Sequence, residues 1–507
     1  MTTEKSGSGK TVLVIGGGLG GLSAAIRLAK KGFRVHIFEQ NESVGGKCQV
    51  EKISGYSFDT GPSLLTLPAV YRDLFLKTGK PLEESLNLIP VDPAFDYHFP
   101  SGKRLTLPNA SRNGVAEAIA NTFGESSARE WTALMDRAEA MWDASREPFI
   151  ESELRGFMPL LKKPGLISSL RTIAPFTSLR KMASRYLSTP ELITLIDRYA
   201  TYTGSDPRKA PAVLLTIAYI EQVFGAWHIH GGVGSLSQAL EARARELDIE
   251  IHHGAKVKEI TTSSSRVTGL VLENGERYRG DFVVSNVDAE FTYDVLLARN
   301  KLAARERRKI SRATPSFSGF YLLLGLKGRK LEQRHHTVSF PADYDAEFNA
   351  LFRTFTPVKD PTLYICSPND PSMVPSENHE SWFVLVNAPR HSRDGAGYDW
   401  RKSGVAEQYS EHLLTLLANR GLLERERIET FTYRSPADIE ALYNAPGGSI
   451  YGKSSNGARA AFNRASNRSP IEGLYLVGGS AHPGGGVPLV GISGDIVANA
   501  IVGASSQ

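Results

Sequence analysis

The sequence predicts an α/β fold that opens on a parallel sheet. Three observations predict it. A β-branched run, Thr11 to Ile15, reads as a buried strand and passes directly into the glycine-rich stretch Gly16 to Gly21. Leu22, Ile26 and Ala29 then recur at helical spacing until Gly32 stops the helix. A second strand, Val35 to Phe38, ends in Glu39. Parallel neighbours need a crossover between them, and this strand–turn–helix–strand unit supplies one.

The remaining elements follow in order. Asn41 to Gly61 is rich in glycine and polar residues and reads as loop with short strands. Pro68 to Met182 reads as mostly helical, broken at prolines. Val213 to Phe224 has the composition of a buried helix, and Gly231 to Leu247 of another, opened by two glycines. Glu250 to Leu272 alternates around a serine-rich turn and predicts a hairpin. Phe282 to Val284 is a short buried strand. Several β-rich runs lie between Ser316 and Asn387. The chain closes with a strand, Leu474 to Val477, a glycine-rich turn, and a helix from about Val490 to Val502.

Bulk properties narrow the function classes. The chain has 507 residues, 41% of them hydrophobic, which is ample for a large core. Its two cysteines, Cys48 and Cys366, lie far apart and form no CxxC, so neither a disulfide framework nor a metal site is expected. Two reduced thiols fit the cytoplasm. Met1 to Lys10 lacks the apolar core of a signal peptide, and no apolar run approaches the ~20 residues that span a bilayer.

Net charge is +5, and its placement matters more than its size. Arg155, Lys162, Lys163, Arg171, Arg180, Lys181 and Arg185 fall in one stretch without an acidic residue. Apolar residues, among them Phe157, Leu170, Phe176 and Met182, interleave with them. Such a stretch can lie on an anionic membrane surface, at ~1 kcal/mol per cation. No nucleic-acid motif accompanies it, so no nucleic acid is expected as a partner.

The glycine stretch reads GxGxxG. Gly16 permits the tight turn, Gly18 lets backbone approach a pyrophosphate, with Gly20 beside it, and Gly21 lets helix and strand pack closely. The helix start offers free N–H groups and a positive dipole end to phosphates. Glu39 stands where a carboxylate accepts hydrogen bonds from ribose hydroxyls. Just beyond it, Gly45 and Gly46 allow backbone to lie against a cofactor, and Lys47 can neutralise phosphate charge. At the other end, Gly478, Gly479, Ser480 and the segment to Pro488 form a second glycine-rich strand-to-helix junction. An extended dinucleotide such as FAD needs contacts from both ends of the chain. The helix start near Leu489 and Val490 could then face the electron-rich edge of a flavin.

Taken together, Gly16 to Leu28, Phe38 to Lys47, Phe58 to Ser63, Gly225 to His228, Gly231-Gly232, Gly254 to Val257 and Leu474 to Val490 resemble the bacterial phytoene desaturase family of FAD-dependent carotenoid desaturases and oxidases. The resemblance runs nearly end to end. It implies FAD as cofactor, held by a Rossmann-like domain built from 1–80, 225–300 and 440–507. It also implies an inserted substrate region, with 81–224 helical and membrane-associating and 301–439 β-rich. In that family Val257 sits where a backbone group meets the adenine. Ser480 departs from the aspartate common in the wider flavin superfamily. The stretches Pro62 to Pro68 and Gly479 to Pro488 look closest to members acting on staphyloxanthin-type triterpenoid carotenoids, including oxidases of the terminal methyl group.

The expected substrate is an acyclic carotenoid or its precursor, with oxygen or a quinone as electron acceptor. The expected location is cytoplasmic, peripheral to the inner face of the cell membrane. Desaturation removes two hydrogens from adjacent carbons, and the protein need mostly position the polyene and exclude water. No Ser–His–Asp order and no HExxH is present. His228, His230, His252 and His253 read as core or surface residues, and His482 as the candidate side chain beside the flavin. Two alternatives share the scaffold: another flavin enzyme, such as an amine or protoporphyrinogen oxidase, and a non-enzymatic prenyl-lipid escort.

Overall fold

The computed structural model describes residues 9–154 and 166–505. Arg155, Lys162, Lys163 and Phe157 of the basic stretch lie outside the described residues. The opening unit forms as its sequence predicts. Thr11–Ile15 is a strand, Leu19–Lys30 a helix and Arg34–Phe38 a strand. Gly16 makes the turn at φ +90°, and Gly32, also at φ +90°, follows the helix end. Such angles cost glycine nothing and other residues about 1 kcal/mol or more.

Five strands make the first sheet, in the order Leu474–Leu476, Phe282–Ser285, Thr11–Ile15, Arg34–Phe38, Glu250–His252. Every neighbouring pair is parallel. The amino-terminal strand is therefore central, and the carboxyl-terminal strand closes one edge. Its helices pack closely as well. In the last helix, Val487–Ser505, a Cβ on Gly494 would lie 2.7 Å from Ser23 Cβ and 2.9 Å from Ala24 N of the first helix. By length and composition this last helix could cross a membrane, contrary to the reading of the apolar runs. It is 19 residues long with mean hydropathy 1.6, and half of its apolar window is buried inside the protein.

A second sheet has seven strands: Ile428–Arg434, Ser318–Lys327, His379–Ala388, Leu363–Cys366, His336–Ser339, Phe95–His98 and Arg104–Leu107. The period-two alternation of its two longest strands sorts side chains to opposite faces. Phe320, Leu322 and Leu324, with Trp382 and Val384, pack beneath the helix Val405–Asn419. Tyr321, Phe383 and Leu385 face the other way, into a large cavity.

Two expectations are corrected. Pro68 to Met182 is not helical throughout: Leu88–Pro90, Phe95–His98 and Arg104–Leu107 are strands, and the last two extend the seven-stranded sheet. Glu250 to Leu272 is not a single hairpin. Glu250–His252 joins the parallel sheet, and only Val257–Ser263 and Arg266–Leu272 pair as a hairpin. Both cysteines are free and buried.

Candidate active site

The site grows from the carboxyl ends of the parallel strands, where an open α/β sheet offers a crevice. Gly16, Gly18 and Gly20 line it as bare backbone. Gly21 does not; it serves packing, since a Cβ there would meet Gly16 O at 2.4 Å. The second motif lies on the first: Gly45 N donates to Gly17 O at 2.8 Å, and Gly18 bridges to Gly45. Gly45 has φ +113°, and a side chain on it would strike Cys48 O at 2.5 Å.

The two distant glycine turns meet. A Cβ on Gly20 would stand 3.0 Å from both Cα and N of Gly478. Asn286, just past the strand Phe282–Ser285, fits between them. Its Nδ2 donates to Gly16 O at 3.3 Å, and its Oδ1 would lie 2.5 Å from a Cβ on Gly478. A side chain on Gly20 or Gly478 would strike Asn286 or the opposing turn, so glycine at these places lets the two turns close on one another.

Glu39 is buried and lines the crevice. Its Oε2 accepts from Gly17 N at 2.8 Å and its Oε1 from Asn41 N at 3.0 Å. Burial raises its pKa while these N–H groups oppose the rise. Val257 is buried at the start of its strand and also lines the crevice. Gly46, Gly479, Ser480, Pro488, Leu489 and Val490 complete the lining predicted from sequence. Ser480 Oγ accepts from Ala289 N at 2.9 Å, and Asp288 lines the crevice beside it.

Two residues differ from expectation. Lys47 lines the crevice, but its Nζ donates to the carbonyls of Ser449 and Ile450, each at 3.0 Å. It ties the second glycine motif to the carboxyl-terminal segment, and burial lowers its pKa. His482 is not among the residues lining the cavity. Its ring turns away, Nε2 lying 2.9 Å from the carbonyl of Ser152, and burial lowers its pKa to about 4. Adjacency to the glycine turn in sequence did not set the direction of the side chain. This contact gives the ring a structural role in holding the turn against Ser152. His228, expected in the core or at the surface, is buried against Asp370 at 2.9 Å.

The sequence reading missed Asn286 and Arg464. Arg464 is buried, donates to Tyr451 O, Gly479 O and Lys453 O at 2.7–2.9 Å, and so braces the last turn. Asn286 carries a usable signal, since it directly follows a buried parallel strand. Arg464 carries none.

The crevice continues into an apolar space. Together they form one cavity of about 1570 Å³, above the ~300–1,000 Å³ of ordinary ligand pockets. Trp142, Leu170, Ile217, Ile220, Phe383 and Leu385 are among the residues lining its apolar part.

Comparison with known proteins matches this geometry. The profile of the flavin containing amine oxidoreductase family matches residues 19–502. The chain belongs to that family. A 4,4'-diapolycopene oxygenase of Methylomonas sp is 34% identical, over 98% of this chain and 99% of the relative. A hydroxyneurosporene desaturase of Rubrivivax gelatinosus is 32% identical, over 97% and 93%. Among solved structures, cyclohexylamine oxidase from Brevibacterium oxydans covers 98% of this chain and all of its own at TM-score 0.62 and 15% identity, a likeness of fold alone. The flavin oxidoreductase uses FAD, and the bare-backbone cradle at Gly16, Gly18 and Gly20 fits a pyrophosphate.

Proposed function

We propose that this flavin oxidoreductase oxidises an acyclic carotenoid or carotenoid precursor, as a desaturase or as an oxidase of a terminal methyl group. The observation that carries the reading is the continuity of the cavity: a polar backbone cradle opens into an apolar arm lined by Trp142, Ile217 and Leu385. Relatives named as carotenoid desaturases and oxygenases, alike over nearly their whole length, support it.

Each part of the chain then has a task. The backbone of Gly16, Gly18 and Gly20, at the start of the first helix, holds the pyrophosphate. Glu39 receives the ribose hydroxyls, and Val257 meets the adenine. Gly479, Ser480, Pro488, Leu489 and Val490 hold the flavin end, with Arg464 bracing their turn. FAD, when bound, supplies the two-electron acceptor. The apolar arm aligns the polyene and keeps water away, which lets positioning contribute ~7–11 kcal/mol in favourable cases. We assign electron disposal to oxygen or a quinone.

Substrate delivery is proposed from the membrane surface. Phe176 is 92% exposed and also lines the cavity. Arg171 lines it too and is exposed, as are Lys181 and Arg185. Arg180 is corrected out of the basic face, because it pairs with Asp197 and Asp345.

The test is expression in bacteria that make diapophytoene or diapolycopene. Longer chromophores from the first identify a desaturase; aldehydes or acids from the second identify a terminal oxidase. Unchanged pigment with both, from protein that is yellow with flavin, overturns the substrate class.

A further inference from the structure

Five arginines are buried among the described residues: Arg27, Arg198, Arg243, Arg427 and Arg464. Four have close partners. Arg27 meets Asp73 and Asp495 at 2.9 and 3.1 Å, Arg243 meets Glu246 at 2.6 Å, Arg427 meets Glu380 at 2.8 Å, and Arg464 has its three carbonyls. Arg198, 6% exposed, has no carboxylate within salt-bridge reach among the described residues. Among the described residues its guanidinium has one hydrogen bond, long at 3.4 Å, to Tyr97 Oη. It is also the one of the five, besides Arg464, that lines the cavity.

Aromatic faces surround it. The guanidinium carbon lies 5.0 Å from the ring centres of Phe95 and Tyr202, and 5.7 Å from those of Tyr97 and Tyr364. These contacts stabilise the charge without using its N–H donors. Nearby Glu221 is already engaged, accepting from Tyr199 Oη at 2.7 Å and Tyr202 Oη at 3.1 Å. Tyr364 Oη and Ser63 Oγ share a hydrogen bond at 2.6 Å on the same cavity wall. Glu221 offsets the charge of Arg198, while the remaining N–H donors lie on the cavity wall without a partner among the described residues, where an oxygen ligand can accept from them. Tyr451, whose ring a Cβ on Gly485 of the last turn would meet at 2.5 Å, lines the same cavity as Arg198.

We propose that Arg198, flanked by the rings of Tyr202 and Tyr364, binds an oxygen atom on the end of the polyene, so that the enzyme accepts or retains chains already oxidised to a terminal aldehyde or carboxylate. The inference rests on the polyene reading above. The planar fork of N–H donors suits a carbonyl or carboxylate, and a methyl end leaves it unanswered. Arg198 is thus a specificity-determining residue.

The test measures binding of diapolycopene, its terminal dialdehyde and its terminal diacid to the FAD-loaded enzyme, by quenching of protein fluorescence, together with turnover of the hydrocarbon. Arg198→Met should weaken the dialdehyde and diacid by roughly 10- to 100-fold, the diacid more. Binding of the hydrocarbon should change by less than about two-fold from wild type. Arg198→Lys should recover part of the diacid affinity. Equal loss for all three ligands assigns Arg198 to the aromatic packing alone and overturns the proposal, as does no loss for any. A variant impaired only in binding a benzoquinone would move the site to the electron acceptor and overturn it too. Wild-type enzyme that neither binds nor converts any of the polyenes overturns the carotenoid reading itself.

Discussion

A side chain on Gly20 would stand 3.0 Å from the Cα of Gly478, so a residue of the first helix and one of the closing turn share a single backbone contact. The same added carbon would meet Asn286 Oδ1 at 2.8 Å. Gly20→Ala should therefore push the two turns apart, at a cost of about 1–3 kcal/mol. We expect a lower Tm and a lower ratio of flavin to protein absorbance after purification. Gly503→Ala, in the last helix with nothing within 4 Å, should leave both unchanged. Equal behaviour of the two variants would remove the contact as the basis of the cradle.

Arg464 holds the last turn through three carbonyls. Arg464→Met leaves those acceptors buried without donors, so stability should fall by at least about 2 kcal/mol. Chemical denaturation of the flavin-loaded protein measures it. Arg464→Lys, which keeps the charge but loses the fork, should fall between wild type and Arg464→Met.

His482 makes an acid-side prediction. Burial holds its folded pKa at about 4, below the ordinary 6.5. The unfolded chain therefore takes up the proton first as pH falls. The stabilisation is complete above about pH 6.5 and is lost progressively down to about pH 4. The largest loss is about 3 kcal/mol. His482→Gln, which cannot titrate, should flatten the slope of stability against pH in that window. An unchanged slope would assign the acid sensitivity to other groups.

Phe176 at the cavity mouth tests the membrane reading. Burying a phenylalanine in lipid contributes about 1.5–3 kcal/mol, so Phe176→Asp should reduce co-sedimentation with anionic vesicles by roughly ten-fold or more. Raising salt should weaken wild-type binding as well, through screening of Arg171, Lys181 and Arg185. Wild-type protein that stays in the supernatant at low salt would end the peripheral-membrane proposal.

What could be read from sequence was local. Gly16 to Gly21 and Gly478 to Pro488 carry their geometry in consecutive residues, because a positive φ or a close backbone approach demands glycine at that place. The strands Phe95–His98 and Arg104–Leu107 escaped because each is four residues long and sits among helical neighbours, too short for period two to outweigh period 3.6. The ring of His482 was not legible, because its position in the chain fixes its backbone while the ring meets the carbonyl of Ser152, hundreds of residues away. Arg198 carries no signal in the sequence beyond its place at a helix end. Only the folded chain shows that its donors are idle and that four aromatic rings stand around it.

The order of the parallel sheet has a consequence for biosynthesis. The strand made first lies in the middle, and the strand made last, Leu474–Leu476, seals one edge. A ribosome must therefore release almost the whole polypeptide before the dinucleotide shelf exists. Until then the greasy arm has no finished wall, so an incomplete chain exposes apolar surface of the kind that favours aggregation.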